Sequence, residues 1–533
     1  MKLVVDEKFR PEIPERFNLA EYFLGARIAE GRGEHVAVID DRGRYTYREV
    51  DAMASRVGNA LKARGVGPED RVLIALQDRV EFVATFFGTL RIGAIVTMVN
   101  PDLPSDDYAH YLDYTRARAI VCEAKLAARI RPLLDGAGLL RAVIVCDPVD
   151  AELPDDPPGE RWADAVAPAS PQLATFDTSK DDPSIWLFTS GSTGKPKAAV
   201  HLQHDFAYNT ECYAKRILGI RPDDVTLGVP KLFFGYATGS NLMFPFAVGA
   251  TTVLFADRST PERLFGLIAQ HRPTILTSVP TMINKMAQHE PAPASLAPLR
   301  ACISAGEALP EELYHRWMQR FGVEILDGIG SAELFHIYIT NRPGEVRPGT
   351  LGRVVPGYEA RLVGPDGRDV ADGEIGTLWV KGDSAAVYYH QAHEKSKETL
   401  RGDWVVSGDL FTRDAEGYFR YAGRADDLLK VGGIFVAPTE VESCLCQHPE
   451  VSEAAVVGFE DDDGLVKALA YVVPKPGVAP SPELSARVIE HARARLAHYK
   501  VPRRVELVTA LPRSDRGKIL RRELRAAGAG QGS

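Results

Sequence analysis

The amino-acid sequence predicts an α/β multidomain chain, and three textures along it carry that prediction. From His35 to about Asp147, and again from Ser184 to about Gly330, short β-branched runs alternate with helix-period segments. After about Gly349 the pattern turns to short strands separated by Gly turns, and from near Asp426 strands and helices mix over the last ~108 residues. Repeated βα alternation implies parallel sheet covered by helices. Gly-turned short strands imply an antiparallel barrel or sheet, and the remainder is enough for a small α+β domain.

The elements follow in order. HVAVID, RVLIALQ, AIVTMVN and AVIVCD read as buried strands, with YREVDAMASRVGNALKARG and VEFVATFFGTLRIG as helices between them. Residues 147–183, rich in Pro and Asp, read as a surface connection. The alternation resumes with SIWLFTS, a helix from about His201, then DVTLGVP, TTVLFA, TILTSVP, LRACISAG and EILDGIG, which suits a second doubly wound layer set. YEARLVGPDGRDV, EIGTLWVKG and YFRYAG supply the antiparallel unit. PTEVESCLCQH, SEAAVVGFE, VKALAYVVP, PELSARVIEHARARLAHY and RRVELVTA make up the last domain.

Composition excludes several classes. Hydrophobic residues at 45% and charged residues at 25% match soluble globular chains, which argues against disorder and fibrous repeats. A net charge of −9 argues against nucleic acid or anionic lipid as partner, so any anionic ligand is held locally. The uncharged run Leu232–Ala256 carries Asn241, Pro245 and several Gly, and reads as a buried helix and strand rather than a membrane span. The amino terminus is too charged for a signal peptide. Six scattered cysteines without CxxC or zinc spacing read as reduced thiols of a cytoplasmic protein. From Arg487 to Arg525, twelve basic residues stand against four acidic, a local excess of eight that suits a polyphosphate ligand or a solvated face.

The sharpest motif is FTSGSTGKPKAAVH, residues 188–201, following an apolar strand. Its glycines let the backbone approach phosphate oxygens, its hydroxyls donate hydrogen bonds, and Lys195 and Lys197 bring positive charge. Two residues separate Gly191 from Gly194 and Pro196 follows Lys195, so it is not a Walker A loop. An ordinary Gly/Ser turn is the other reading of this segment alone. DGIGSAE (327–333), VSGDL (406–410), GRADDLLKVGG (423–433) and PRSDRGK (512–518) are each weak alone. Glu333 could present a carboxylate to Mg²⁺ or cap its loop. Asp409 could accept ribose hydroxyls or stabilise its turn. Lys518 could reach a phosphoryl charge or stay solvated.

Taken together and in this order, these segments resemble the adenylate-forming superfamily of acyl- and aryl-CoA synthetases, peptide-synthetase adenylation domains and firefly-type luciferases, over essentially the whole chain. The resemblance implies a large N-terminal domain, residues 1–425, with two βα subdomains and a small β-barrel-like one, and a mobile C-terminal lid, residues 426–533, hinged at Asp426. It implies that Thr189, Ser190, Gly191, Ser192, Thr193, Gly194, Lys195 and Lys197 hold the ATP phosphates. Glu333, with Thr193, would ligate Mg²⁺. Ser304, Ala305, Gly306 and Glu307, with Asp327, Gly328, Ile329, Gly330, Ser331 and Ala332, would frame the nucleotide. Asp409 and Arg424 would hold the ribose. Lys518 would bind the carboxylate and α-phosphate during adenylation, and Lys430 with Gly432 and Gly433 would enter for the thiol step with coenzyme A. Lys518 also falls in a pattern that similar synthetases acetylate reversibly, and a homodimer stays open. Two residues depart from the pattern: Ala198 stands where Gly is usual, and Ala332 where Thr is usual, with Ser331 as the candidate replacement hydroxyl.

PKLFFGYATG and LDGIGSAELFHI look particularly like the benzoate-CoA ligase branch. Phe234, Gly235, Tyr236, Ala237, His336 and Ile337 would line a flat apolar slot for one planar ring, although an aromatic stripe of this kind is also what plain core looks like. Similar benzoate ligases more often carry Ala at Gly235, and losing that methyl would open room beside the ring. Benzoate is therefore one expected substrate and an ortho-substituted acid such as 2-aminobenzoate (anthranilate), or a fluorinated benzoate, the alternative. A stand-alone enzyme that loads an aryl group onto a carrier protein would share every ATP residue.

Overall fold

The computed structural model describes residues 6–146, 158–190, 196–424, 429–431, 434–460, 466–513 and 519–529. Among these residues, eight strands form one sheet in the order Tyr388–Tyr389, Pro196–Leu202, Pro183–Ser190, Ile95–Met98, Arg71–Ala75, Ala119–Glu123, Ala142–Cys146 and Glu160–Arg161. The first three pair antiparallel and the rest parallel. Nine form a second sheet in the order Arg353–Val354, Ile337–Thr340, Ile325–Gly330, Ala301–Ser304, Ile275–Ser278, Val225–Gly228, Thr251–Val253, Val36–Asp40 and Gly43–Thr46. Its six central strands are parallel and its flanks antiparallel.

Parallel strands buried on both faces need continuous apolar runs, and VLIA of Arg71–Ala75 and IVTM of Ile95–Met98 supply them. The helix Val80–Arg91 is apolar all round and buried at every residue. It packs against Tyr47–Ala63, whose start is fixed by a reciprocal capping box between Thr46 and Glu49. As the sequence implies, Leu232–Ala256 is buried: helical turns from Gly235 to Phe246 lead into the strand Thr251–Val253. No helix among the described residues is long and apolar enough to cross a membrane.

Two sheet memberships differ from the linear reading. HVAVID joins the second sheet, beside Thr251–Val253, and SIWLFTS joins the first, beside Ile95–Met98. Alternation in sequence reports local period but not the pairing partner. That choice is made by contacts such as the Thr251 hydroxyl donating to the Val36 carbonyl at 2.7 Å, across more than 200 residues. His201 lies on the strand Pro196–Leu202, and the helix expected there begins at Gln203. The 147–183 connection contains the edge strand Glu160–Arg161 and the helix Trp162–Ala165; residues 147–157 lie outside the described residues.

The antiparallel unit holds Glu359–Val363, Gly376–Lys381, Leu400–Arg401, Trp404–Arg413 and Phe419–Arg424. The α+β unit packs Pro438–Cys446, Pro482–Arg493 and Arg521–Ala529 with a sheet of Val451–Glu460, Val466–Pro474 and Arg504–Leu507.

In the second sheet, Asp224 and Arg300, each one residue ahead of a parallel strand, form a bidentate pair at 2.7 and 3.0 Å, joined by the Thr274 hydroxyl at 2.7 Å. Burial pushes the Asp224 carboxyl up, but these donors outweigh it and hold it below the ordinary range. Its stabilisation is therefore present at neutral pH and is lost as pH falls through that lowered value. Arg300→Ala, which strands a buried carboxylate, is expected to cost about 3–5 kcal/mol at pH 7, read from chemical denaturation, with the deficit shrinking in acid.

Candidate functional site

The site forms where parallel strands of both sheets end, the usual ligand crevice of an open α/β sheet. Ser278 and Ser304 end their strands and lie in register with Asp327 of the strand Ile325–Gly330, and Thr189, next to last in the strand Pro183–Ser190 of the other sheet, stands opposite Lys197. Asp327 is 5% exposed, with one carboxyl oxygen lacking a hydrogen-bond partner. Burial pushes its carboxyl up to about 8, against the smaller opposing effects of Ser304 and the Gly328 N–H. Glu307 accepts from the Thr281 hydroxyl at 2.7 Å and the Thr281 N–H at 3.2 Å.

The aromatic segment and the FHI segment do meet. His336 is buried and donates from Nε2 to the Tyr236 carbonyl at 2.9 Å, while its ring stacks on Tyr213 and meets Phe244 and Tyr236 with centroids 4.6 and 5.2 Å away. Burial drives its pKa down to about 3, so the imidazole is neutral at physiological pH. Its placement depends on Phe335, which takes φ 69° and ψ −64°, a strained γ-turn closed by the His336 N–H on the Leu334 carbonyl at 2.9 Å. It also needs Gly239: a Cβ there would stand 2.4 Å from the imidazole. The Tyr236 hydroxyl donates to the Ser278 carbonyl at 3.3 Å, linking the aromatic wall to the strand ends. Ala237 and Ile337 are fully buried, whereas Phe234 and Gly235 are partly open. The methyl missing at Gly235 would meet the Leu187 terminal methyls at 3.2 and 3.3 Å, so the space beside the ring is bounded by Leu187.

Asp409 and Arg424 stand directly opposite each other on antiparallel strands. Lys430 lies on the short hairpin of Leu429–Val431 and Ile434–Val436. Gly191, Ser192, Thr193, Gly194, Lys195, Asp426, Gly432, Gly433 and Lys518 lie outside the described residues. Flanking Lys518, Arg513 bridges to Ile519, bonds Glu453 at 2.9 Å, and places a guanidinium nitrogen 3.9 Å from Glu307 of the large domain. Ala198 is fully buried, its methyl among Ile95, Trp186 and Val200 and its N–H donating to the Tyr114 hydroxyl at 3.2 Å, which accommodates the departure from Gly.

Three features lie beyond the sequence reading. His201 points one ring nitrogen at Asp205 and the other at the Ala332 carbonyl, each at 2.7 Å, with His201 and Asp205 both fully buried. Tyr389, buried on an edge strand, donates to the Glu333 carboxylate at 2.5 Å. Asp78 accepts from the Leu232 N–H at 2.8 Å beside Lys231, anchoring the aromatic segment; burial raises its carboxyl to about 6, partly offset by Lys231. None has a local signature, because each acts across a long stretch of chain. The basic run of the last domain is largely paired: Arg487, Arg493, Lys500, Arg504, Arg513 and Arg521 each bond a carboxylate, several of them from other elements, which the local charge count omits. A shallow recess lined by Arg347, Arg353, Glu416 and Tyr418 contains none of the expected site residues.

A family model of AMP-binding enzymes matches residues 26–390, and a model of the AMP-binding enzyme C-terminal domain matches residues 440–518. The chain belongs to the AMP-binding enzyme family. It is 43% identical over 519 residues to a benzoate–CoA ligase of Thauera aromatica, covering 97% of both chains. A benzoate CoA ligase from Burkholderia xenovorans LB400 superposes with a TM-score of 0.88 at 41% identity, over 96% of this chain and 100% of that one. The anthranilate CoA ligase AuaEII, solved with anthranoyl-AMP, superposes with a TM-score of 0.90 at 36% identity, over 97% and 98%.

Asp327 gives a pH test. A carboxyl raised by burial stabilises the fold fully below its unfolded value near 3.8, and that contribution is lost as pH rises toward about 8. Asp327→Asn is therefore expected to gain thermal stability relative to the parent between pH 5 and 8, with the largest difference at pH 8, in matched melting curves.

Proposed function

We propose that the chain is an ATP-dependent aryl-CoA ligase that converts benzoate or a substituted benzoate, ATP and CoA into aryl-CoA, AMP and pyrophosphate through an aryl-AMP intermediate. The observation that carries this reading is the hydrogen bond from Tyr236 to Ser278: it joins an aromatic wall suited to a planar acid to the row of strand ends that frames the nucleotide. The benzoate and anthranilate ligases among the relatives, matched nearly end to end, support it.

A carboxylate is a poor electrophile. Its oxygen attacks the α-phosphorus of ATP, pyrophosphate leaves, and the acyl carbon of the resulting mixed anhydride accepts the CoA thiol. In this reading the 189–197 loop cradles the phosphates, with Lys197 as one cation, and Ser304–Glu307 with Asp327–Ala332 frame the base. Asp409 and Arg424 hold the ribose. Lys518 offsets charge on the carboxylate and α-phosphate, catalysis being chiefly positioning and electrostatics. The lid, residues 426–533, then turns at Asp426 and replaces Lys518 with the Lys430, Gly432, Gly433 loop for the thiol step. The approach of Arg513 to Glu307 joins the last domain to the residues that frame the base in this reading.

The donor set fits Mg²⁺. Among the described residues no cluster of three ligating side chains exists, and Glu333 offers a single hard carboxylate, which suits an ion held mainly by substrate phosphates. Glu333 would hold it, with Thr193; when bound, the ion supplies charge neutralisation at the phosphates. We place the reaction in the cytoplasm, with Lys518 acetylation as its off-switch, since acetylation removes the ammonium charge.

An ortho-substituted acid is the second reading, suggested by the missing methyl at Gly235 and supported by the anthranilate ligase among the relatives. Gly235→Ala is expected to lower kcat/KM for 2-aminobenzoate about tenfold relative to benzoate, a difference of ~1.4 kcal/mol; equal effects on both acids would remove the ortho reading. Lys518→Ala is expected to abolish aryl-AMP formation and spare thioester formation from supplied aryl-AMP. Equal loss of both would contradict the lid exchange. A panel of aryl acids assayed for AMP release, with CoA against a carrier protein as acceptor, tests the function as a whole, and no release with any ring acid would overturn it.

A further inference from the structure

We infer that Tyr389 is a positioning residue for the metal-bound nucleotide, acting through Glu333; the inference rests on the reading of Glu333 given above. Tyr389 sits on the edge strand Tyr388–Tyr389, which pairs antiparallel with the phosphate strand, Tyr389 opposite Ala199. It is 3% exposed, so its ring is fixed by packing. Its hydroxyl donates to Glu333 Oε1 at 2.5 Å, in the short range of an O–H donor on a carboxylate. The ammonium of Lys197 lies 4.1 Å from the ring centroid, so one side chain touches both the cation of the phosphate loop and the carboxylate of the metal site.

The backbone of the glutamate is held from the same direction. The Ala386 N–H donates to the Glu333 carbonyl at 2.8 Å, the Ser384 hydroxyl donates to the Leu334 carbonyl at 3.0 Å, and His201 bonds the Ala332 carbonyl. Three consecutive carbonyls are thus pinned, and the carboxylate would still rotate about its own side-chain bonds without a donor at its tip. Tyr389 supplies that donor on one oxygen and leaves the other oxygen for a ligand. An outer hydrogen bond of this kind fixes the geometry of a ligating carboxylate, and removing one elsewhere costs roughly 10- to 100-fold in metal affinity.

Tyr389→Phe removes only the hydroxyl and keeps the ring, its packing and the Lys197 contact. The test titrates the full-length enzyme with α,β-methylene-ATP by calorimetry, once with Mn²⁺ and once with EDTA. Tyr389→Phe is expected to weaken binding of the metal complex about tenfold and to leave the metal-free nucleotide unchanged, while thioester formation from supplied aryl-AMP persists. Unchanged binding of the metal complex, or an equal loss for both forms, would overturn the inference, the latter marking a merely structural tyrosine. Glu333→Gln separates the two levels. If it loses the metal preference and Tyr389→Phe does not, Tyr389 has no such role; if Glu333→Gln keeps the preference, the reading of Glu333 fails, and this inference with it.

Discussion

The His201 imidazole is the bond on which the site geometry most depends. It stands on a strand of the eight-stranded sheet, and the carbonyl it bonds, that of Ala332, follows the Ile325–Gly330 strand of the nine-stranded sheet. Both ring nitrogens face acceptors, the Asp205 carboxylate and the Ala332 carbonyl, so the ring is fixed at both ends. A buried carboxylate such as Asp205 is costly unless its oxygens find partners, because the surrounding medium cannot solvate its charge. Asp205 meets that demand by also accepting the Leu202 N–H at 3.1 Å and by lying 3.2 Å from a ring nitrogen of His204. Two sheets that share no strand are thereby tied together beside Glu333, where the proposed reading needs phosphate and metal ligands to converge.

The aromatic side of the site is fixed by different means. Asp78, Lys231 and the strained turn at Phe335 each carry a free-energy cost: a carboxyl raised by burial, an ammonium whose pKa burial lowers, and a bulky residue at positive φ. Such costs persist only where surrounding structure overdetermines them. Here the surroundings are the ring cluster of Phe206, Phe244, Phe335 and His336, whose packing is too dense to let the turn relax. The two halves of the crevice therefore differ in character. One half is aligned by charge, the other by shape.

That difference explains what could be read from the chain before folding. The strands SIWLFTS and EILDGIG and the helix-then-strand reading of 232–256 were legible because each packs its pattern into a short window, where spacing and residue type suffice. Sheet membership was not, since the parallel pairing of Val36–Asp40 with Thr251–Val253 is decided by contacts distant in sequence. The partners of the basic run in the last domain were hidden for the same reason: Glu440, Glu442, Glu450 and Glu453, which pair with four of its residues, lie on other elements. Tyr389 and His201 carried no signal, because a tyrosine in VYYHQ or a histidine in AAVHL becomes meaningful only when Glu333 and Ala332 arrive beside it.

The departures from the family pattern can be weighed on the same terms. A methyl at Ala198 costs little, since its place is a small apolar cluster and its N–H retains a partner in Tyr114. Ala332 is a different matter. The hydroxyl absent there has Ser331, one residue earlier, as its candidate replacement. In the proposed reading, the hydrogen bond that an α-phosphate oxygen would forgo at this turn is offset by positioning: the Ala332 carbonyl is fixed by His201 and the adjoining carboxylate by Tyr389. A rigid turn with fewer donors can match a looser one with more, because hydrogen bonds in a transition state count only to the extent that their donors need not reorganise to make them.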